Sequence, residues 1–146
     1  MSATIAQVRA RVLALAAAYP GMGTDISMGA SITSLPAYTC VAGVAVWRKL
    51  STQRYLVDRN YELWVYVDKL TDSNREDLTR AQIDDCDPWI VGLASYYSAR
   101  PRLELNDAGI VHDVQDISDS GPAQTPLRNQ IYSGFRLIIP TTVSAP

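Results

Sequence analysis

The sequence predicts an α+β domain: a mostly antiparallel or mixed β-sheet packed against an N-terminal helix and a proline-interrupted central helical segment. Three observations carry this. Apolar residues recur at helical spacing near the N-terminus, they alternate with period two around residues 59–70, and a second helical pattern lies between strand-like stretches. The chain has 146 residues, 47% hydrophobic and 19% charged, which fits one globular domain, so 1–146 is read as a single unit.

Ile5, Val8, Val12, Leu15 and Tyr19 line one face of a helix over 4–19. Thr4 and Gln7 have capping-box spacing at its start, and Pro20-Gly21 ends it. Residues 21–36 are rich in Gly, Ser, Thr, Met and Ala without a period, as in a long mobile loop that does not pack as an element. The run YTCVAGVAVWRKL within 37–50 is apolar on both faces up to Trp47, the pattern of a strand in the middle of a sheet. In 59–70, Tyr61, Leu63, Val65 and Val67 alternate with Glu62, Trp64, Tyr66 and Asp68, the pattern of a strand with two distinct faces. Tyr55-Leu56-Val57 extends the preceding hairpin, which places Arg54 and Arg59 on a projecting β-arm.

Ser73 and Glu76 repeat the capping-box spacing ahead of a broken helix over 73–99, and Asp87-Pro88 reads as the cap and first residue of its second half. Strands follow within 102–139, joined by the polar turn Asn106–Gly109 and by a second flexible loop, Ser118 to Leu127. Residues 140–146 form an extended or disordered tail.

The composition excludes several functions. Thirteen basic against fifteen acidic residues lack the excess of a dedicated nucleic-acid binder. With no apolar run of spanning length, no membrane partner is expected. Arg9 and Arg11 interrupt the apolar N-terminal stretch, which makes a poor secretory signal and places synthesis in a reducing cytoplasm. Cys40 and Cys86 read as buried free thiols. His112 is the sole histidine, so nucleophilic triads and zinc sites lack their side chains, and no catalytic residue, cofactor or metal is expected. Asp84, Asp85 and Asp87 read as a cap and its solvated neighbours. Gly21-Met22-Gly23 follows a helix and lacks the spacing of a phosphate cradle.

In this order, the segments TIAQVRARVLALAAAYP, LPAYTCVAGVAVW, YELWVYVDKL, NREDLTRAQIDDCDPWIVGLA and NQIYSGFRLIIP resemble the tail terminator proteins of long-tailed bacteriophages, also called tail completion or minor tail proteins of the lambda U type. The chain departs from the small members of that family by continuing through Thr141 to Pro146. The resemblance implies a virion protein at the tail–neck junction, without enzymatic activity. Such a protein forms a ring, expected to be a hexamer, that stops polymerisation of the tail tube. Its partners are then further copies of itself, the tail tube protein and a neck or head-completion protein, while genomic DNA passes through the lumen without specific binding.

Ring formation requires surfaces and not reactive groups. The loop residues Met22, Asp25, Ile26 and Met28, the arm residues Arg54, Tyr55 and Arg59, the second loop's Gln124 and the adjacent Arg128 are candidate contacts, because flexible segments reorder most readily against a neighbour. Trp64 and Tyr66 join them as apolar residues on the strand face turned away from the helices. Two alternatives stand beside this: another neck or head-completion ring protein, and a small ligand-binding domain or enzyme with a pocket near Trp89 and Tyr97.

Overall fold

A computed structural model describes residues 4–29, 31–70, 81–100, 103, 113, 114 and 116–145. Two α-helices and six strands are formed among them. The α+β class is as the sequence predicts. No helix among these residues is long and apolar enough to cross a membrane.

Helix α1 spans Ile5–Ala18. Its capping box is complete: the Thr4 hydroxyl accepts from the Gln7 amide at 3.1 Å, and the Thr4 amide donates to the Gln7 side-chain oxygen at 2.9 Å. Both otherwise orphaned donors are thereby satisfied. Gly21, at φ +87°, takes the left-handed conformation that turns the chain away.

Strands β1 (Ala37–Ser51) and β2 (Arg54–Lys69) form a long antiparallel hairpin. Strand β6 (Gln130–Ala145) lies along the other side of β2, from Tyr55 opposite Ala145 to Lys69 opposite Tyr132. The far edge of β6 is shared by three short strands: β3 (Asp113–Val114), β4 (Ser118–Asp119) and β5 (Ala123–Leu127). The order is therefore β1-β2-β6, with β3, β4 and β5 in file beyond.

Helix α2 (Cys86–Ser98) follows directly on a π-helical turn, Ala81–Asp85. Ser73 and Glu76, and the turn at Asn106–Gly109, lie outside the described residues.

The alternation in β2 divides the core. Tyr61, Leu63 and Val65 pair across the sheet with Ile139, Leu137 and Phe135, and all six pack against Val8, Val12 and Leu15 of α1 and Leu93 and Tyr97 of α2. Burial of these side chains is the main contribution to stability, about 1.5–3 kcal/mol each. A smaller cluster of Ile26, Ala37, Tyr66 and Tyr132 forms separately, flanked by Ile32, Leu35, Trp64 and Leu127.

Four sequence expectations are corrected, and the tail, expected to be extended or disordered, is extended. Strand β1 is an edge strand among the described residues and not a central one, because its apolar run has no strand on its outer side beyond the isolated bridge of Asp25 to Tyr38. The loop 21–36 packs: Gly23 donates to Pro36, Ile26 to Tyr38, and Tyr38 to Thr24, while the Thr24 hydroxyl accepts from the amides of Thr33 and Ser34. Residues 118–127 are not one flexible loop, since β4 and β5 pair with β6 across a turn at Arg128-Asn129, both at positive φ. The tail is strand as far as Ala145, with Thr141, Thr142 and Val143 buried. Asp87 does not cap α2, whose N-cap position is Asp85 without a side-chain bond; Asp87 lies in the first turn, where its charge suits the positive helix end.

Candidate functional site

Beyond Ala42 the β1–β2 hairpin leaves the helices behind. A β-bulge falls at Gly43-Val44, where the pairing steps from Ala42–Tyr61 to Ala45–Arg59. There is no room for a side chain at residue 43, since an added Cβ would stand 2.8 Å from the Asn60 carbonyl oxygen. Arg59 locks the bulge by donating from a guanidinium nitrogen to the Gly43 carbonyl oxygen at 2.8 Å. A second irregularity at Leu50 closes the tip.

Above the bulge lies an apolar surface. Val44 is 86% exposed, Val46 63%, Trp47 55% and Leu50 60%. Such a strand would template pairing with another chain unless something covers it. The arm behind it is well held. Trp47 sits edge-on to Tyr55 with ring centroids 5.7 Å apart. Asp58 accepts from Arg48 Nε at 2.7 Å and NH2 at 3.1 Å, and from the Thr142 hydroxyl at 2.7 Å. These bonds to Arg48 and then Thr142 hold its carboxyl below the usual range. The exposed apolar side chains are thus presented on a braced three-stranded ribbon, since β6 continues along β2 to the tip.

The sequence-derived contact residues divide by this geometry. Arg54 is exposed at the hairpin tip and Tyr55 half-buried beside Trp47. Met28, Gln124 and Arg128 are exposed. Met22 packs against the main core, and the Asp25 carboxylate accepts from the Ser27 amide at 2.9 Å. Ile26 and Tyr66 are corrected as contacts: both are buried in the small cluster, because the loop covers that part of the sheet. Arg59 is turned back onto its own bulge. Trp64 is half-buried with the Arg136 guanidinium 5.1 Å from its ring centre, and that arginine is held at 2.9 Å by Glu62.

The alternative reading places a pocket near Trp89 and Tyr97. Tyr97 is fully buried and donates its hydroxyl to the Val12 carbonyl oxygen at 2.7 Å, and burial raises its pKa further. Trp89 lies against Gly21 and edge-on to Tyr19. Tyr19 and Tyr96 link the two, with ring centroids 5.1 Å apart, and Tyr96 stands 5.5 Å from Tyr97.

Among the described residues reactive chemistry is sparse. Burial pushes the Cys40 thiol up to about 12 and the Cys86 thiol up to about 11, which makes both poor nucleophiles. The Asp85 carboxyl is raised by burial and by the nearby Asp68 and Asp84. Among the described residues no three His, Cys, Asp or Glu side chains group as metal ligands; His112 lies outside them.

Sequence reasoning missed Val44, Val46, Trp47 and Leu50 as surface residues. Their signal in the sequence is Arg48-Lys49, two charges inside the apolar run that suit a strand leaving the core. No protein-family model and no curated protein sequence matches the chain.

Proposed function

We propose that this chain is a structural virion subunit of the tail-terminator kind, which assembles into a ring, caps the tail tube and offers the joining surface to the neck. The observation that carries the reading is the exposed apolar edge of β1 on a braced arm. Four exposed apolar side chains gathered on one strand favour burial against a partner, which an assembling subunit provides. The element order by which the sequence resembles tail terminators supports the same reading. In this role the chain acts through shape and complementary surfaces and has no catalytic residue.

Termination of a polymer needs one face that fits the last tube layer and another that the next tube subunit cannot bind. The arm is suited to the lateral contacts that close the ring, while Met28, Gln124 and Arg128 are exposed outside the arm and are candidates for the axial neighbours.

The test is electron microscopy of a phage lysate in which this gene is inactivated. Tails of uncontrolled length are expected. Tails of normal length that fail to join heads would assign the chain to another neck ring, and intact joined virions would overturn the structural reading.

A further inference from the structure

The charged residues of the described chain are not evenly placed along the sheet. Arg48, Lys49, Arg54 and Arg59 lie on the arm with Asp58, which Arg48 pairs, and β3 sets Asp113 beside it opposite Thr142, so the basic excess is at the tip, at Lys49 and Arg54. At the opposite end of β2, Asp68 stands beside the π-helical turn and the start of α2, which bring Asp84, Asp85 and Asp87. Asp25 lies at that end as well, on the bridge to Tyr38. Lys69 and Arg128 temper this acidity without reversing it. Strand β2, 16 residues long, sets the two ends about 45 Å apart.

Each end also carries exposed apolar side chains: Val44, Val46, Trp47 and Leu50 on the arm, and Ile83 and Val91 beside the acidic residues. Apolar surface combined with opposite charge is the composition of the two halves of one interface. Because the halves lie at opposite ends of a single molecule, they cannot meet within it.

We infer that the partner of the β1 arm is a second copy of this chain, with the arm of one copy docking head-to-tail on the acidic end of the next, around Ile83, Asp87 and Val91. This contact is heterologous, so repetition closes a ring where the rotation per step permits and otherwise gives a filament. The occupant is set by charge. An edge-to-edge pairing of two β1 strands centred on the arm tip would set Lys49 near the Lys49 of the other copy, which like-charge repulsion opposes. The inference rests on the reading of the chain as an assembling subunit and specifies which surfaces meet.

The experiment uses the full chain at about millimolar concentration, so that contacts with weak affinity are populated. A spin label at Gln53→Cys on one copy is read by line broadening on an isotope-labelled second copy. Broadening of the amides of residues 83–91 is expected, weakened by at least about tenfold in K49E/R54E and in D68K/D87K. An equimolar mixture of these two charge-reversed proteins should restore it, because each mixed contact again joins opposite charges. Circular dichroism on each variant checks that the fold is kept, and where D68K/D87K fails to fold, K49E/R54E alone decides by its loss of broadening.

Broadening centred on residues 44–50 would overturn the inference in favour of edge-to-edge pairing. No broadening at all would overturn it in favour of a partner other than this chain. Either result leaves the lysate experiment free to succeed, so failure of this contact and failure of the assembly reading are distinguishable.

Discussion

Single side chains make the sharpest commitments. Cys40 and Cys86 are buried with raised pKa values, so the native protein should react with a thiol reagent at pH 8 far more slowly than the denatured protein. Timed absorbance with Ellman-type reagent checks this, and prompt reaction of either thiol would place it at the surface. Asp58 makes a commitment with a sign. Its folded pKa lies below the ordinary value of 3.8, so its contribution is fully present above the unfolded pKa and is lost as pH falls through the folded one. Acidification from pH 5 to below pH 3 should lower the amide protection factors, which remove the intrinsic pH dependence of exchange, along Val46–Trp47 of the arm in the wild type. In Asp58→Asn the same protection factors should already be lower at pH 5 and change little on acidification.

At the scale of elements, β6 has the tightest constraints. A Cβ on Gly134 would lie 2.5 Å from the Val65 carbonyl oxygen and 3.1 Å from the Thr125 hydroxyl. The strand on either side is fixed, so Gly134→Ala should destabilise by about 1–3 kcal/mol, as overpacking of a close-packed interior does. Urea denaturation followed by tryptophan fluorescence measures it. Elements with a strong local signal were legible in the sequence: α1 through its stripe and capping box, and β2 through its alternation. The hairpin extension through Tyr55–Val57 was legible too, since its residues favour strands. What was hidden depends on distant pairing. Thr141–Val143 read as a tail because nothing local marks them, yet β2 supplies their partners at Arg59, Asp58 and Val57. Likewise Ala123–Leu127 contains a proline and short polar residues, and becomes a strand only beside β6. For β1 the sequence places the strand but not its neighbours: an apolar run on both faces has the same pattern in the middle of a sheet and at its edge.

For the whole molecule, stability and assembly should separate. Trp47 and Leu50 are more than half exposed, so Trp47→Ser with Leu50→Ser removes little buried surface and should shift the thermal midpoint by only a few degrees. Under the assembly reading the same double variant should fail to complement a phage lacking the gene, with plaque counts reduced by orders of magnitude. A variant that unfolds would mean the arm supports the core, and one that complements fully would remove the arm from assembly. The candidate contacts show the same division as the fold. Arg54 and Tyr55 stand at the hairpin tip as the sequence predicts, because a tip is a local property, whereas the burial of Ile26 and Tyr66 depends on a loop folding back over the sheet.

The junction of β2 with β6 also governs how fast the native state is reached. The hairpin of β1 and β2 closes between near neighbours, which takes microseconds. The bond from the Thr142 hydroxyl to Asp58 joins residues 84 positions apart in the chain, and the whole second side of β2 waits on that encounter. A high contact order of this kind slows folding to the range of milliseconds to seconds. During that interval β2 as well as β1 offers open backbone to other chains. Newly made copies crowded at one place are therefore most vulnerable to mispairing before β6 arrives, and yield on refolding should rise as the protein is diluted.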